Sequence, residues 1–342
     1  MQLTDFHFDL PEELIAKYPA SQRSESRLLA LDDEKEPSDL RFHQIIQLVN
    51  EGDLLVFNDT RVIPARLFGQ KTTGGLVEIL VERVLDSERI LAQVRVSKPP
   101  RSGDFLNFPQ GIQFEVLGRV KSFYELKYNG NGQSILDVIE AIGQIPLPPY
   151  MRRDADESDK ERYQTIYARH KGSVAAPTAG FHFDAELMQA LQNKRVDISY
   201  LTLHIGAGTF APVRVENIRE HQMHPEYLEI PATLCEKIRA TKERGKRVIA
   251  VGTTSLRALE TACQSGEIEP YQGETSIFIY PGYKFRCADA LITNMHLPCS
   301  TLLMLVCAFS GYDRVMHAYR EAVRRGYRFY SYGDAMWMPG II

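Results

Sequence analysis

The 342-residue sequence has little of what commits a chain to a special environment. Its five cysteines, Cys235, Cys263, Cys287, Cys299 and Cys307, are odd in number, irregularly spaced and without a Cys-x-x-Cys pair. A disulfide frame and a zinc site are therefore not expected, whereas reduced thiols in a cytosol are. No His, Cys, Asp and Glu set falls at metal-ligand spacing, so no metal is expected. The longest apolar run, residues 302–309, is far too short to span a bilayer. The opening Met1-Gln2-Leu3-Thr4-Asp5-Phe6 lacks the basic stretch and apolar core of a signal peptide. The expectation is a cytoplasmic protein with no membrane partner. Charge of one sign is missing too: 40 Lys and Arg stand against 44 Asp and Glu, for a net charge of −4. Any RNA-binding surface must then be a local patch.

What is present is ordinary for a globular protein, with 44% hydrophobic and 25% charged residues. The length exceeds one comfortable core, so two domains are expected. Residues 1–65 read as mixed α/β, with a helix start at Pro11-Glu12-Glu13-Leu14-Ile15 and a buried strand at Asp53-Leu54-Leu55-Val56-Phe57. The texture then changes. Six β-rich runs, 66–70, 76–84, 89–96, 105–108, 114–120 and 123–128, are separated by turn clusters at 73–75, 98–103 and 129–132. That spacing suggests a small antiparallel barrel. After a short helix at 134–142, the extended Ile145-Pro146-Leu147-Pro148-Pro149-Tyr150 returns the chain. Strands at 196–204, 247–251, 275–280 and 290–293 then alternate with helices at 184–193, 253–263, 302–309 and 312–325. The fold class is an α/β main domain, 1–65 and 147–342, interrupted by a small antiparallel β-barrel domain, 66–146.

Gly206-Ala207-Gly208-Thr209-Phe210-Ala211 formally satisfies the dinucleotide fingerprint, but Pro212 and the alternating Val213-Arg214-Val215 deny it the helix it needs. A glycine loop at a strand end remains, where backbone can approach a ligand or simply turn. Val251-Gly252-Thr253-Thr254-Ser255 is a strand, a glycine turn and a hydroxyl-rich helix start, fit for a carboxylate or phosphate. Two such loops after two strands point to one crevice, with Gly206, Gly208, Thr209, Gly252, Thr253, Thr254 and Asn294 as ligand contacts. His182 and His204 stand in glycine-adjacent loops and are the candidates for proton transfer, with Asp59, Glu229 and Asp334 as alternative carboxylates. Arg61, Arg66, Arg152, Arg153, Lys171 and Arg257 are candidates for RNA phosphates, although such clusters commonly form a solvated face.

Five blocks together resemble the S-adenosylmethionine:tRNA ribosyltransferase-isomerase family of queuosine biosynthesis. They are Asn58-Asp59-Thr60-Arg61-Val62-Ile63-Pro64-Ala65-Arg66, Pro177-Thr178-Ala179-Gly180-Phe181-His182-Phe183, His204-Ile205-Gly206-Ala207-Gly208-Thr209-Phe210, Gly252-Thr253-Thr254-Ser255-Leu256-Arg257-Ala258-Leu259-Glu260 and Asn294-Met295-His296-Leu297-Pro298. Each block alone is weak; in this order, from Asp5-Phe6 to Tyr332-Gly333-Asp334-Ala335-Met336, they are specific. The resemblance implies transfer and isomerisation of the ribosyl unit of S-adenosylmethionine onto 7-aminomethyl-7-deazaguanine at the wobble position of tRNA. Epoxyqueuosine would form, with adenine and methionine released. It implies no cofactor beyond the consumed S-adenosylmethionine, and a monomer is expected. An RNA methyltransferase and a non-catalytic RNA-binding protein are the competing readings.

Overall fold

Aliphatic and β-branched runs that lack polar alternation are suited to strands covered on both faces. Leu54–Asn58, Val248–Val251 and Ala290–Asn294 are such runs, and each is buried along its whole length. The computed structural model describes residues 1–31, 36–130, 132–210 and 212–340. Asn131 of the expected 129–132 turn and Ala211 of the glycine motif lie outside them.

The described strands form a nine-stranded sheet in the order Tyr271–Thr275, Glu226–Ile230, Asp197–His204, Leu54–Asn58, Val248–Val251, Ala290–Asn294, Ala335–Pro339, Arg27–Ala30 and Ser38–Arg41. Its centre is parallel: Asp197–His204, Leu54–Asn58, Val248–Val251 and Ala290–Asn294 all run the same way. Because side chains alternate across a strand, Leu54 and Val56 enter one core and Leu55 and Phe57 the other. The first core is roofed by Ala232–Glu243, Thr253–Ala262, Thr301–Ser310 and Tyr312–Arg324, the second by Ala185–Asn193. Two of these helices are capped by side chains, Ser300 Oγ accepting from the Leu303 amide at 3.2 Å and Asp184 Oδ1 from the Leu187 amide at 2.8 Å.

Between Leu54–Asn58 and Asp197–His204 of the sheet, the chain makes a closed barrel in the order Phe123–Tyr128, Arg89–Val96, Leu76–Val84, Arg66–Lys71, Phe105–Asn107 and Gln113–Val120. Closure leaves no free edge. Ile135, Val138 and Ile139 of helix Ile135–Ile142 pack into the barrel core beside Leu67, Ile79 and Phe114.

Two expected elements differ. The helix start at 11–15 is a single 3-10 turn, Glu12–Leu14, with Pro11 before it. The strand expected at 275–280 lies earlier, at Tyr271–Thr275, because these residues pair with Glu226–Ile230 and Thr275 Oγ1 then takes the Ile277 amide at 3.3 Å. Among the described residues no helix is long and apolar enough to cross a membrane.

Candidate active site

Three of the four parallel strands deliver their carboxyl ends to one place, where open α/β sheets hold ligands. Ile205 follows Asp197–His204, Gly252, Thr253 and Thr254 follow Val248–Val251, and Thr293 and Asn294 end Ala290–Asn294. These residues, with Tyr163, 175–179, Thr209, Glu226, Arg257, His296, Leu302, Tyr330 and Ser331, line a cleft that encloses about 690 Å³ including its open mouth. The two loops singled out in the sequence thus share one cleft, although Gly206 and Gly208 themselves stand behind its wall, which Ile205 and Thr209 form.

Gly252 makes the strand-to-helix turn at φ +94°, a conformation open to glycine, and so points the start of helix Thr253–Ala262 at the cleft. Three buried polar atoms of the lining have no hydrogen-bond partner: Thr254 Oγ1, Arg257 Nη2 and Asn294 Oδ1. The Asn294 amide is oriented by its Nδ2, which donates to the carbonyls of Tyr330 at 2.9 Å and Ser331 at 3.3 Å. Its free atom is therefore an acceptor, and the free Arg257 nitrogen a donor. Arg257 Nη1 pairs with Glu226, both side chains being 6% exposed, and Nε donates to the Ile277 carbonyl at 3.3 Å. Arg257, expected on an RNA face, is in fact enclosed in the cleft wall. At that burial it is beyond the reach of a phosphate backbone.

His182 and His204 stand one layer behind the cleft. His182 Nδ1 is 2.6 Å from Ser26 Oγ, its ring stacks on Phe42 with centroids 4.9 Å apart, and burial lowers its pKa to about 4. It lines a second, smaller cavity with Arg23, Arg162 and Arg328, and Ser331 is common to both. His204 Nδ1 meets Thr60 Oγ1 at 2.8 Å, and burial with nearby His170 lowers it to about 4 as well. Both are neutral imidazoles at pH 7. The histidine that does line the cleft is His296, which meets Thr293 Oγ1 at 2.9 Å and is pushed by burial to about 3. Asp59, Glu229 and Asp334 do not line it: Asp59 accepts from Thr202 Oγ1 at 2.8 Å, Glu229 is exposed, and Asp334 takes the amides of Arg27 and Arg328. Among the described residues Glu226 is the one acid of the lining, and sequence reasoning passed over it.

Of the other expected RNA contacts, Arg61 is exposed, with no hydrogen-bond or ion-pair partner among the described residues. Lys171 is its register neighbour on the paired strand and reaches Glu140 at 2.6 Å. Arg66 pairs with Glu78 at 2.8 Å, Arg152 with Glu12 at 2.6 Å, and Arg153 grips Asp159 through two bonds of 2.6 and 2.8 Å. Among the described residues, no group of three or more His, Cys, Asp or Glu could hold a metal ion.

The profile of a family described as queuosine biosynthesis protein matches residues 3–338. A protein of Nitrosococcus oceani named S-adenosylmethionine:tRNA ribosyltransferase-isomerase is 54% identical over 339 residues, 99% of this chain and 98% of that one. A crystal structure of S-adenosylmethionine tRNA ribosyltransferase from Thermotoga maritima is similar with a TM-score of 0.56 at 36% identity, over 97% of this chain and 99% of the other.

Proposed function

This chain belongs to the queuosine biosynthesis protein family, and we propose that it is an S-adenosylmethionine:tRNA ribosyltransferase-isomerase whose cosubstrate occupies the cleft at the sheet's carboxyl edge. The observation that carries the placement is the set of unpartnered buried atoms, Thr254 Oγ1, Arg257 Nη2 and Asn294 Oδ1, converging on one cleft. Leaving them unmade costs stability, and a ligand that completes them recovers it. A donor pair at a helix N-terminus suits the methionine carboxylate. The Asn294 acceptor suits an amino group of the cosubstrate.

The sulfonium acidifies the protons on the ribose 5′ carbon, so a positioned base removes one and the ylide left behind expels adenine from the sugar. The aminomethyl nitrogen of 7-aminomethyl-7-deazaguanine, at the wobble position of tRNA, attacks as the neutral amine. Rearrangement of the ring then gives the epoxycyclopentanediol and releases methionine. We assign the base to Glu226, whose charge also favours the sulfonium. His182, beside Asn294, and His204, next to Ile205, support the two walls of the cleft and act in proton transfer only through them. The chemistry requires no metal or redox cofactor. A monomer acting in the cytoplasm completes the reading.

The test is product analysis with S-adenosylmethionine and substrate tRNA. The parent should release adenine and methionine, and Glu226→Gln should lose at least about 100-fold in kcat with cosubstrate binding retained. S-Adenosylhomocysteine as product would mean a methyltransferase, and no turnover a binding protein. Adenine release by Glu226→Gln at the parent rate would remove Glu226 from the role of base.

A further inference from the structure

Strand Leu76–Val84 of the barrel breaks its register with Arg89–Val96 at one residue. Val81 pairs with Ala92 and Arg83 with Leu91, leaving Glu82 as the extra residue of a β-bulge. Bulges of this kind re-aim a side chain and recur beside active sites. Here the bulge presents Glu82 to the sheet domain. Its carboxylate is 6% exposed and accepts from the Ala207 amide at 2.9 Å. A Cβ on residue 206 would lie 2.4 Å from Glu82 Oε1, so any larger residue there would displace the carboxylate. The next residue, Arg83, pairs with Glu274 and donates to the Pro225 carbonyl at 3.0 Å, immediately before Glu226.

We propose that Glu82 is a positioning residue for ribosyl transfer: from the barrel, its carboxylate holds the 206–210 loop in the form that builds the cleft wall. The inference rests on the assignment of the cleft to S-adenosylmethionine. Charged groups on the packed strands are engaged elsewhere: Arg66 and Arg95 with Glu78, Arg89 with Asp86 and Glu125, Lys171 with Glu140, and His170 with Asp59. Among the described residues, Arg83 favours the charge of Glu82 and Glu226 opposes it. Burial therefore raises the pKa of Glu82 to about 7 against the help of the Ala207 and Gly208 amides. The loop is therefore held most firmly while the carboxyl is protonated, and opening that returns Glu82 to water becomes easier as pH rises through 7. A folded-state pKa raised in this way means the protein keeps a proton that the unfolded chain has lost, so ionising Glu82 costs stability as pH rises through 7. A glutamine would avoid that cost.

The experiment compares the full-length parent, Glu82→Gln, Glu82→Ala and Gly206→Ala between pH 6 and 9. The readouts are kcat and KM for S-adenosylmethionine from adenine release, and hydrogen exchange of the 205–210 amides. The ratio of parent to Glu82→Gln kcat/KM cancels titration of the cosubstrate. It should be near one at pH 6, where both side chains are neutral, and fall below one at pH 8.5 with a midpoint near 7, as ionised Glu82 loosens a loop that glutamine still holds. Glu82→Ala and Gly206→Ala should raise KM more than they lower kcat and should speed exchange at Ala207, whereas Glu82→Gln should slow that exchange at pH 8.5. A flat ratio with unchanged exchange would overturn the proposal. If the parent released no adenine while exchange still responded to Glu82→Gln, the clamp would stand and the ribosyl-transfer reading would fall.

Discussion

Thr254 Oγ1 is buried without a partner in the free protein, so there its hydroxyl pays desolvation and gains nothing. Its value must lie in the complex. Thr254→Val keeps the shape and the β-branch, and should leave thermal stability unchanged or slightly higher while raising KM for S-adenosylmethionine by about five- to tenfold, the worth of one hydrogen bond. Calorimetry and steady-state kinetics on the same preparation check both halves, and unchanged KM would remove Thr254 from the site. Thr254 and Asn294 were legible in the sequence because each ends a strand or opens a helix, where local pattern is informative. Glu226 and Glu82 were not. The first opens a strand after a stretch with little periodicity, and the second shares the outward parity of Glu78. Only the seating of the barrel on the sheet turns that face inward.

The strand-to-helix connection at Gly252 sets the geometry of the site at the scale of elements. A non-glycine residue at φ +94° is strained by about 1–3 kcal/mol, and the Cβ would stand 3.6 Å from that of Ala179, so strain and not collision is the cost. Gly252→Ala should therefore lower the melting temperature and also weaken S-adenosylmethionine binding, because relaxing the turn re-aims the Thr253 and Thr254 amides. A loss of stability with affinity intact would show that the turn does not orient the ligand. Most elements were readable from local signals: six barrel strands from their turn clusters, and the helices expected at 134–142, 184–193 and 302–309, which begin at the capping residues Ser134, Asp184 and Ser300. The misplaced strand at 275–280 shows the limit, since pairing with Glu226–Ile230 selected the preceding residues, a non-local choice. Partly buried Ile277, Phe278 and Tyr280 pack on the core without a ladder, and their apolar character alone suggested a strand.

At the scale of the molecule, a net charge of −4 leaves tRNA binding to local cations. Arg61 is exposed and unpaired among the described residues, with Lys171 beside it, whereas Arg153 is committed to buried Asp159. Arg61→Glu should weaken tRNA binding several-fold and flatten its salt dependence by about 0.7–0.9 in log–log slope for each phosphate no longer neutralised. Arg153→Glu should instead lower stability, by leaving Asp159 uncompensated. Anisotropy titrations across a salt series decide, and equal effects of the two substitutions on the slope would contradict the patch.

The central claim is that the ribosyl unit, and not the methyl group, of S-adenosylmethionine reaches the RNA. Two preparations of the cosubstrate, one labelled in the ribose carbons and one in the methyl group, test it directly when each is incubated with the protein and substrate tRNA. The ribose label should appear in the tRNA in equal amount to the adenine released, while the methyl label leaves entirely with methionine. Methyl label in the tRNA, with the ribose label left on S-adenosylhomocysteine, would contradict the account.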